Sequence, residues 1–227
     1  MPPIFHVYLT SNSGECPEKY SFHNTRQVVF FLSFCYDTGI VKKEEILMKY
    51  LIASDLHGSA HFCRSMLAAA EREQADRIIL LGDLLYHGPR NDYPEEYDTR
   101  AVTALLNSVK DKLLCVRGNC DSEVDQMVLE FPVLAEYAFL EADGLRIFAT
   151  HGHNYGPDRI PPLCPGDYLL CGHIHLPVCR KMGEITYLNP GSLSLPKEGT
   201  PHSYMTLENG VFTWHDLNTG SAFEPLK

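Results

Sequence analysis

Five short apolar runs in this chain each end in a residue of the kind that holds metal ions, and that repeated junction limits the fold more than any other feature. "KYLIAS" (49–54) is followed by Asp55 and His57, "RIILLG" (77–82) by Asp83, and "LLCVRG" (113–118) by Asn119. The run ending at Thr150 is followed by His151, and the one ending at Cys171 by His173 and His175. Short apolar runs of this type read as buried strands. In an open α/β sheet, residues just beyond the carboxyl ends of the strands meet in one crevice. Five separate segments thus deliver seven oxygen or nitrogen donors to one place.

The intervening sequence supports that reading. Residues 60–75 and 99–110 carry helical patterning, and 122–130 opens with the Ser-x-x-Asp pattern of a capped helix. From Tyr137 the texture changes to hairpins, with turns expected at Asp143-Gly144, Met182-Gly183 and Asn209-Gly210. A parallel βαβαβ half followed by a hairpin-rich half predicts an α/β sandwich of two sheets with helices outside.

Each junction taken singly has a bland explanation, because an isolated aspartate caps turns and an isolated loop histidine is common. Their joint occurrence, each with a small neighbour and each directly after an apolar run, is what the bland explanation fails to give. Carboxylate, amide and imidazole donors without thiolate favour Mn²⁺, Fe, Zn²⁺ or Ni²⁺. Seven donors exceed the need of one tetrahedral ion, so two divalent ions are expected. Two such ions about 4 Å apart repel by roughly 20 kcal/mol at an effective dielectric of 20, which requires an anionic bridge.

The order D-x-H, G-D, G-N-C-D, H-G-H, G-H-x-H resembles the calcineurin-like metallophosphoesterase superfamily, in particular its small bacterial phosphodiesterase branch. The stretches "ASDLHGS", "LLGDLLYHGPRN", "VRGNCDSEVDQM", "THGHNYGP", "CGHIHLPV" and "LNPGSLSLPK" carry the likeness from Met48 to the low 200s. The resemblance implies a four-layer αββα sandwich, a preference for Mn²⁺, and hydrolysis of phosphodiesters by a hydroxide held between two ions. It assigns Asp55, His57 and His175 to the first ion, Asp83 to the bridge, and Asn119, His151 and His173 to the second. Two divalent ions, two aspartates and a hydroxide leave a net charge of about +1, which matches the single negative charge of a diester. Some relatives form dimers or tetramers, so a homo-oligomer is a weak expectation.

Asn119 can also position a phosphate oxygen through its amide. Where the protein-phosphatase branch has a histidine after this asparagine, the chain has Cys120. A thiol with an ordinary pKa near 8.5 is a poor acid for an alkoxide leaving group, so Cys120 is expected to line the substrate side and another donor to act. His153 and His87 are the two candidates; His153 could instead support His151, and His87 could be a plain loop residue. Arg90 and Arg117 are candidate phosphate clamps, with a solvated loop charge and a salt bridge as their bland alternatives. Asn189-Pro190-Gly191-Ser192 reads as a tight turn near the crevice.

A net charge of −10, from 29 acidic and 19 basic residues, disfavours a nuclease or membrane-surface protein. Eight cysteines without a C-x-x-C pair read as reduced thiols, which places the protein in the cytoplasm. The run "VVFFLSFC" (28–35) is too short to span a bilayer and lacks a signal-peptide context. The metallophosphoesterase-like domain is expected to occupy residues 48–227. Residues 1–47 match nothing in the family, and "KKEE" before Met48 is what a translated purine-rich ribosome-binding site would yield. Met48 is therefore the expected start, with a genuine lid or oligomer-forming extension as the alternative. The competing function is a protein-binding scaffold, because a retromer subunit resembles the same fold with a degenerate metal site. All seven ligand positions here carry competent donors.

Overall fold

β1 (Tyr50–Ala53) owes its central place to a segment with no polar face. Leu51 and Ala53 face one side and Ile52 the other, all fully buried, as the two-residue period of a strand dictates. The structure, a computed structural model, describes residues 48–227; the expectations for residues 1–47 lie outside them. β2 (Arg77–Leu80) and β3 (Leu113–Cys115) extend from β1 in parallel. On its other edge β1 pairs antiparallel with β9 (Ser203–Glu208), which is followed by β10 (Val211–Asp216) and β11 (Ala222–Phe223). The six-stranded order is β11-β10-β9-β1-β2-β3.

Two helices cover one face of this sheet. In α1 (Ala60–Arg72) the Ser59 hydroxyl accepts a hydrogen bond from the Phe62 N–H, and Phe62, Cys63, Met66, Ala69 and Ala70 recur at helical spacing on the buried side. In α2 (Thr99–Ser108) the Asp98 carboxylate caps the Arg100 and Ala101 N–H groups, and Val102 and Leu106 face inward. α3 (Glu123–Val128) is short and opens with the expected Ser122/Asp125 capping box.

The second sheet has the order β4-β5-β6-β8-β7, from β4 (Tyr137–Ala142), β5 (Leu145–Thr150), β6 (Tyr168–Leu170), β7 (Pro177–Met182) and β8 (Ile185–Pro190). The β4–β5 and β9–β10 hairpins turn at Asp143-Gly144 and Asn209-Gly210, as expected. The β7–β8 turn lies one residue later than expected, at Gly183-Glu184, because Met182 still pairs with Ile185. Between the sheets, Ile52, Ile79, Leu81 and Val116 meet Ala149, Leu170 and Leu188, with Met205, Leu207 and Trp214 closing the layer. Each Ile, Leu, Val or Met among them contributes about 1.5–3 kcal/mol by its burial.

The α/β sandwich of two sheets is as expected. Phe148, Leu169, Cys171, Val178, Ile185 and Tyr187 on the outer face of the second sheet are covered by Tyr155 and Leu163. Those residues belong to segment 151–167, where Pro157, Pro161, Pro162 and Pro165 exclude a helix. Among the described residues no helix is long and apolar enough to cross a membrane.

Candidate metal centre

The carboxyl ends of β1, β2, β5 and β6 converge, so that chain segments far apart in sequence share one buried cluster. The oxygen and nitrogen atoms of Asp55, His57 and His175 lie within one ligand-sized group, and those of Asp55, Asp83 and His151 within another. His175 Nε2 is 3.3 Å from Asp55 Oδ1, and His151 Nε2 is 3.4 Å from Asp83 Oδ2. All three imidazoles donate Nδ1–H to a backbone carbonyl: His57 to Tyr86 at 2.9 Å, His151 to Leu81 at 2.6 Å, and His175 to Leu195 at 2.7 Å. That fixes each Nε2 as the atom facing the cluster. His57 Nε2 then opposes His175 Nε2 at 3.3 Å, and His151 Nε2 opposes Asn119 Oδ1 at 3.1 Å. Facing acceptors at such distances need a cation or a proton between them. Asp55 Oδ1 is buried without a hydrogen-bond partner, which is costly unless a cation meets it. These residues fit divalent metal.

The backbone is held in unusual conformations to make this convergence. Asp55, His57, Asp83, His173 and His175 all have φ between 49° and 70°, the left-handed region that non-glycine residues seldom adopt. Their neighbours hold them there. The Asp121 carboxylate accepts from the N–H groups of Asp83 (2.9 Å), Leu84 (2.8 Å) and Gly118 (2.7 Å), stapling the loop after β2 to the loop after β3. Ser192 and Ser194 hydroxyls both donate to the Asp55 carbonyl, at 2.9 and 3.0 Å. Asn189 Nδ2 donates to the Gly172 carbonyl at 2.7 Å, directly before His173. At Gly172 a Cβ would collide with Ser54 Oγ and stand 3.0 Å from Asp55 Oδ2, so only glycine lets these two loops touch.

The electrostatics match a cation site. Burial alone would lower the His151 imidazole, but the hydrogen bond to Asp83 and the charges of Asp55 and Asp83 raise it to about 9. Against their own burial, Asp55 is held low by the neighbouring imidazoles of His175 and His57, and Asp83 by that of His151. A cluster that pulls protons onto an imidazole in this way pulls metal cations too.

A model of the calcineurin-like phosphoesterase superfamily domain matches residues 48–210. The chain belongs to this superfamily. It is 46% identical over 175 residues to phosphodiesterase YfcE of Escherichia coli K12, which covers 77% of this chain and 95% of that protein. A solved structure of YfcE, described as a phosphoesterase from E. coli, aligns with TM-score 0.76 and 45% identity over 79% of this chain and 98% of that one. Vacuolar protein sorting 29 from Cryptosporidium parvum aligns with TM-score 0.52 and 19% identity over 78% and 95% of the two chains, a likeness of fold alone.

Around the cluster of this phosphoesterase lies a crevice of about 450 Å³ lined by His57, Asp83, Asn119, His173 and His175 together with Gly88–Asn91, Cys120, Ile174 and Lys197. His173 stands slightly apart from the buried cluster, its ring 5.1 Å from that of His151 and its N–H donating to Asp55 Oδ2 at 3.0 Å. Arg90 and Cys120 reach the crevice. Burial and the Asp83 carboxylate push the Cys120 thiol up, so it remains protonated. The other three candidates are placed elsewhere. Arg117 reaches toward Glu123 and Glu136 at 3.7 and 3.9 Å, the salt-bridge alternative. His87 packs its ring against Tyr86, Tyr93 and Tyr97 and is not among the lining residues. His153 lies behind His151, ring centroids 5.4 Å apart, with its pKa lowered by burial and by the neighbouring His151.

Sequence reasoning missed Asp121, Asn91 and Lys197. Asp121 was in view as the last letter of G-N-C-D, but its role requires the β2 and β3 loops to be side by side. Lys197 follows the N-P-G-S turn by five residues and carries no local signal.

Proposed function

We propose that this chain is a metal-dependent phosphodiesterase acting on a small diester. The observation that carries the reading is the pair of opposed acceptor contacts, His57 to His175 and His151 to Asn119, beside the unpartnered Asp55 Oδ1. The kinship to YfcE at 46% identity supports the diester class. Asp55, His57 and His175 would hold one divalent ion, Asn119, His151 and His173 a second, and Asp83 would bridge them. Oxygen and imidazole donors without thiolate favour Mn²⁺, with Zn²⁺, Ni²⁺ and Fe as competitors. When bound, the ions neutralise charge on phosphoryl oxygens and lower the pKa of water enough to supply a nucleophile near neutral pH.

The chain's own groups do the rest. The Nδ1 contacts to Tyr86, Leu81 and Leu195 orient the imidazoles before substrate arrives. The Asn119 amide, whose Nδ2 now donates to Cys120 Sγ at 3.1 Å, is positioned to turn toward a phosphate oxygen. Cys120 keeps its proton and presents a neutral wall, which favours diesters whose leaving group departs as a stabilised anion. The acidic surface disfavours a polymeric nucleic acid, and the free thiols at all six described cysteines fit the cytoplasm.

The test is to strip the protein with chelator, restore Mn²⁺, Zn²⁺ or Ni²⁺ singly, and compare a nitrophenyl phosphodiester with the monoester. The expected result is metal-dependent turnover that favours the diester. Stoichiometric metal without turnover of either ester would remove the enzymatic reading.

A further inference from the structure

The metal crevice carries more positive charge than a simple phosphodiester needs. Apart from Asp83, which faces the metal cluster, no carboxylate lines it, whereas Arg90 and Lys197 both do. Neither cation has an ion-pair partner among the described residues, although Asp92 and Glu198 are close in sequence. Other cations are divided, Lys49 pairing with Glu73 and Glu208, Lys110 with Glu130 and Arg146 with Asp167, while Arg100, Lys112 and Lys181 are unpaired among the described residues; what sets Arg90 and Lys197 apart is that both line one crevice. An unpaired arginine and an unpaired lysine in one crevice of a chain with net charge −10 therefore form a local positive field against the general one. No Phe, Tyr or Trp lines the crevice, so it offers the alcohol half of a substrate charge rather than a stacking surface.

We infer that Arg90 and Lys197 clamp a second anionic group, a carboxylate or a further phosphate, carried on one alcohol half of the diester. The inference rests on the phosphodiesterase reading and deepens it. Two divalent ions, Asp55, Asp83 and the nucleophile already balance the single charge of the reacting phosphate. Arg90 and Lys197 are surplus to that balance and sit on separate loops, one after β2 and the other after the N-P-G-S turn. The Lys197 N–H donates to the His175 carbonyl at 3.3 Å through the backbone alone. Its loop is thus fixed to a ligand loop while its ammonium stays exposed and available. Arginine supplies a bidentate fork and lysine a mobile point charge, a pairing suited to a carboxylate or phosphate.

A matched pair of esters tests this. Ethyl 4-nitrophenyl phosphate and 2-carboxyethyl 4-nitrophenyl phosphate share leaving group and reacting phosphate and differ by one remote charge. The expected kcat/KM is about tenfold or more higher for the carboxyethyl ester, an advantage expressed in KM and reduced by salt. Lys197→Met and Arg90→Met should each shrink that ratio, and Lys197→Arg should restore it. Equal kcat/KM for the two esters in the natural protein would overturn the inference and leave the phosphodiesterase standing. Equal losses on both esters in the variants would also overturn it, by assigning the cations to the reacting phosphate. If neither ester is turned over, the phosphodiesterase reading fails, and calorimetry decides the clamp by itself. Metal-loaded protein should then bind 3-phosphonopropionate about tenfold more tightly than ethylphosphonate, with the difference lost in Lys197→Met; equal affinities overturn it.

Discussion

Asp83 reaches both halves of the site. Its Oδ2 faces His151 at 3.4 Å and His57 at 3.7 Å, while its Oδ1 accepts from the Cys120 N–H at 2.8 Å. Asp83→Asn keeps the shape and removes the charge that would lie between two cations. We expect metal content measured on the purified variant to fall by at least one ion, and turnover of a nitrophenyl diester to fall by about 100-fold or more, a loss of about 2.7 kcal/mol in transition-state stabilisation. Near-normal rates would eliminate the bridging role. The ligands themselves were legible because each follows directly on an apolar run, where chemistry and periodicity coincide. Asp121 and Lys197 were not, since an aspartate that accepts three backbone N–H groups and a lysine on a distant loop acquire their roles only from tertiary neighbours.

At the scale of elements, the end of β8 acts as a brace for the loop after β6. Asn189 is fully buried at the end of β8, with Nδ2 donating to the Gly172 carbonyl at 2.7 Å and Oδ1 accepting from the Gly191 N–H at 2.9 Å. Its own carbonyl accepts from Trp214 Nε1 at 2.7 Å, which ties the brace to β10. Asn189→Ala strands two buried backbone groups and should cost about 1–3 kcal/mol in denaturant unfolding. Because Gly172 precedes His173, the same variant should also weaken metal affinity in a titration. Stability loss with unchanged affinity would show that the brace serves the fold alone. The hairpins were readable because Asp-Gly and Asn-Gly demand left-handed turns. Segment 151–167, which supplies Tyr155 and Leu163 to the outer face of the second sheet, forms no helix, in keeping with its four prolines.

For the molecule as a whole, the cluster links pH, metal and stability. In protein stripped with chelator, burial lowers His151 but the Asp83 hydrogen bond and the Asp55 and Asp83 charges outweigh it, so the folded imidazolium titrates at about 9 against an ordinary 6.5. A pKa raised on folding stabilises fully below the unfolded value and loses that contribution as pH rises through the folded one. Asp55 and Asp83 are lowered and act at the other end, their contribution being lost only as pH falls below the usual carboxylate range. Thermal melts of the stripped protein should therefore decline between pH 6.5 and 9, by an amount on the order of 2 kcal/mol. Metal must displace the His151 proton, so the loaded protein should not share that decline, and metal uptake at pH 7.5 should release close to one proton. Calorimetry in buffers of different ionisation enthalpy measures that proton directly. Uptake without proton release, or parallel pH profiles with and without metal, would mean that His151 is not where the cation binds.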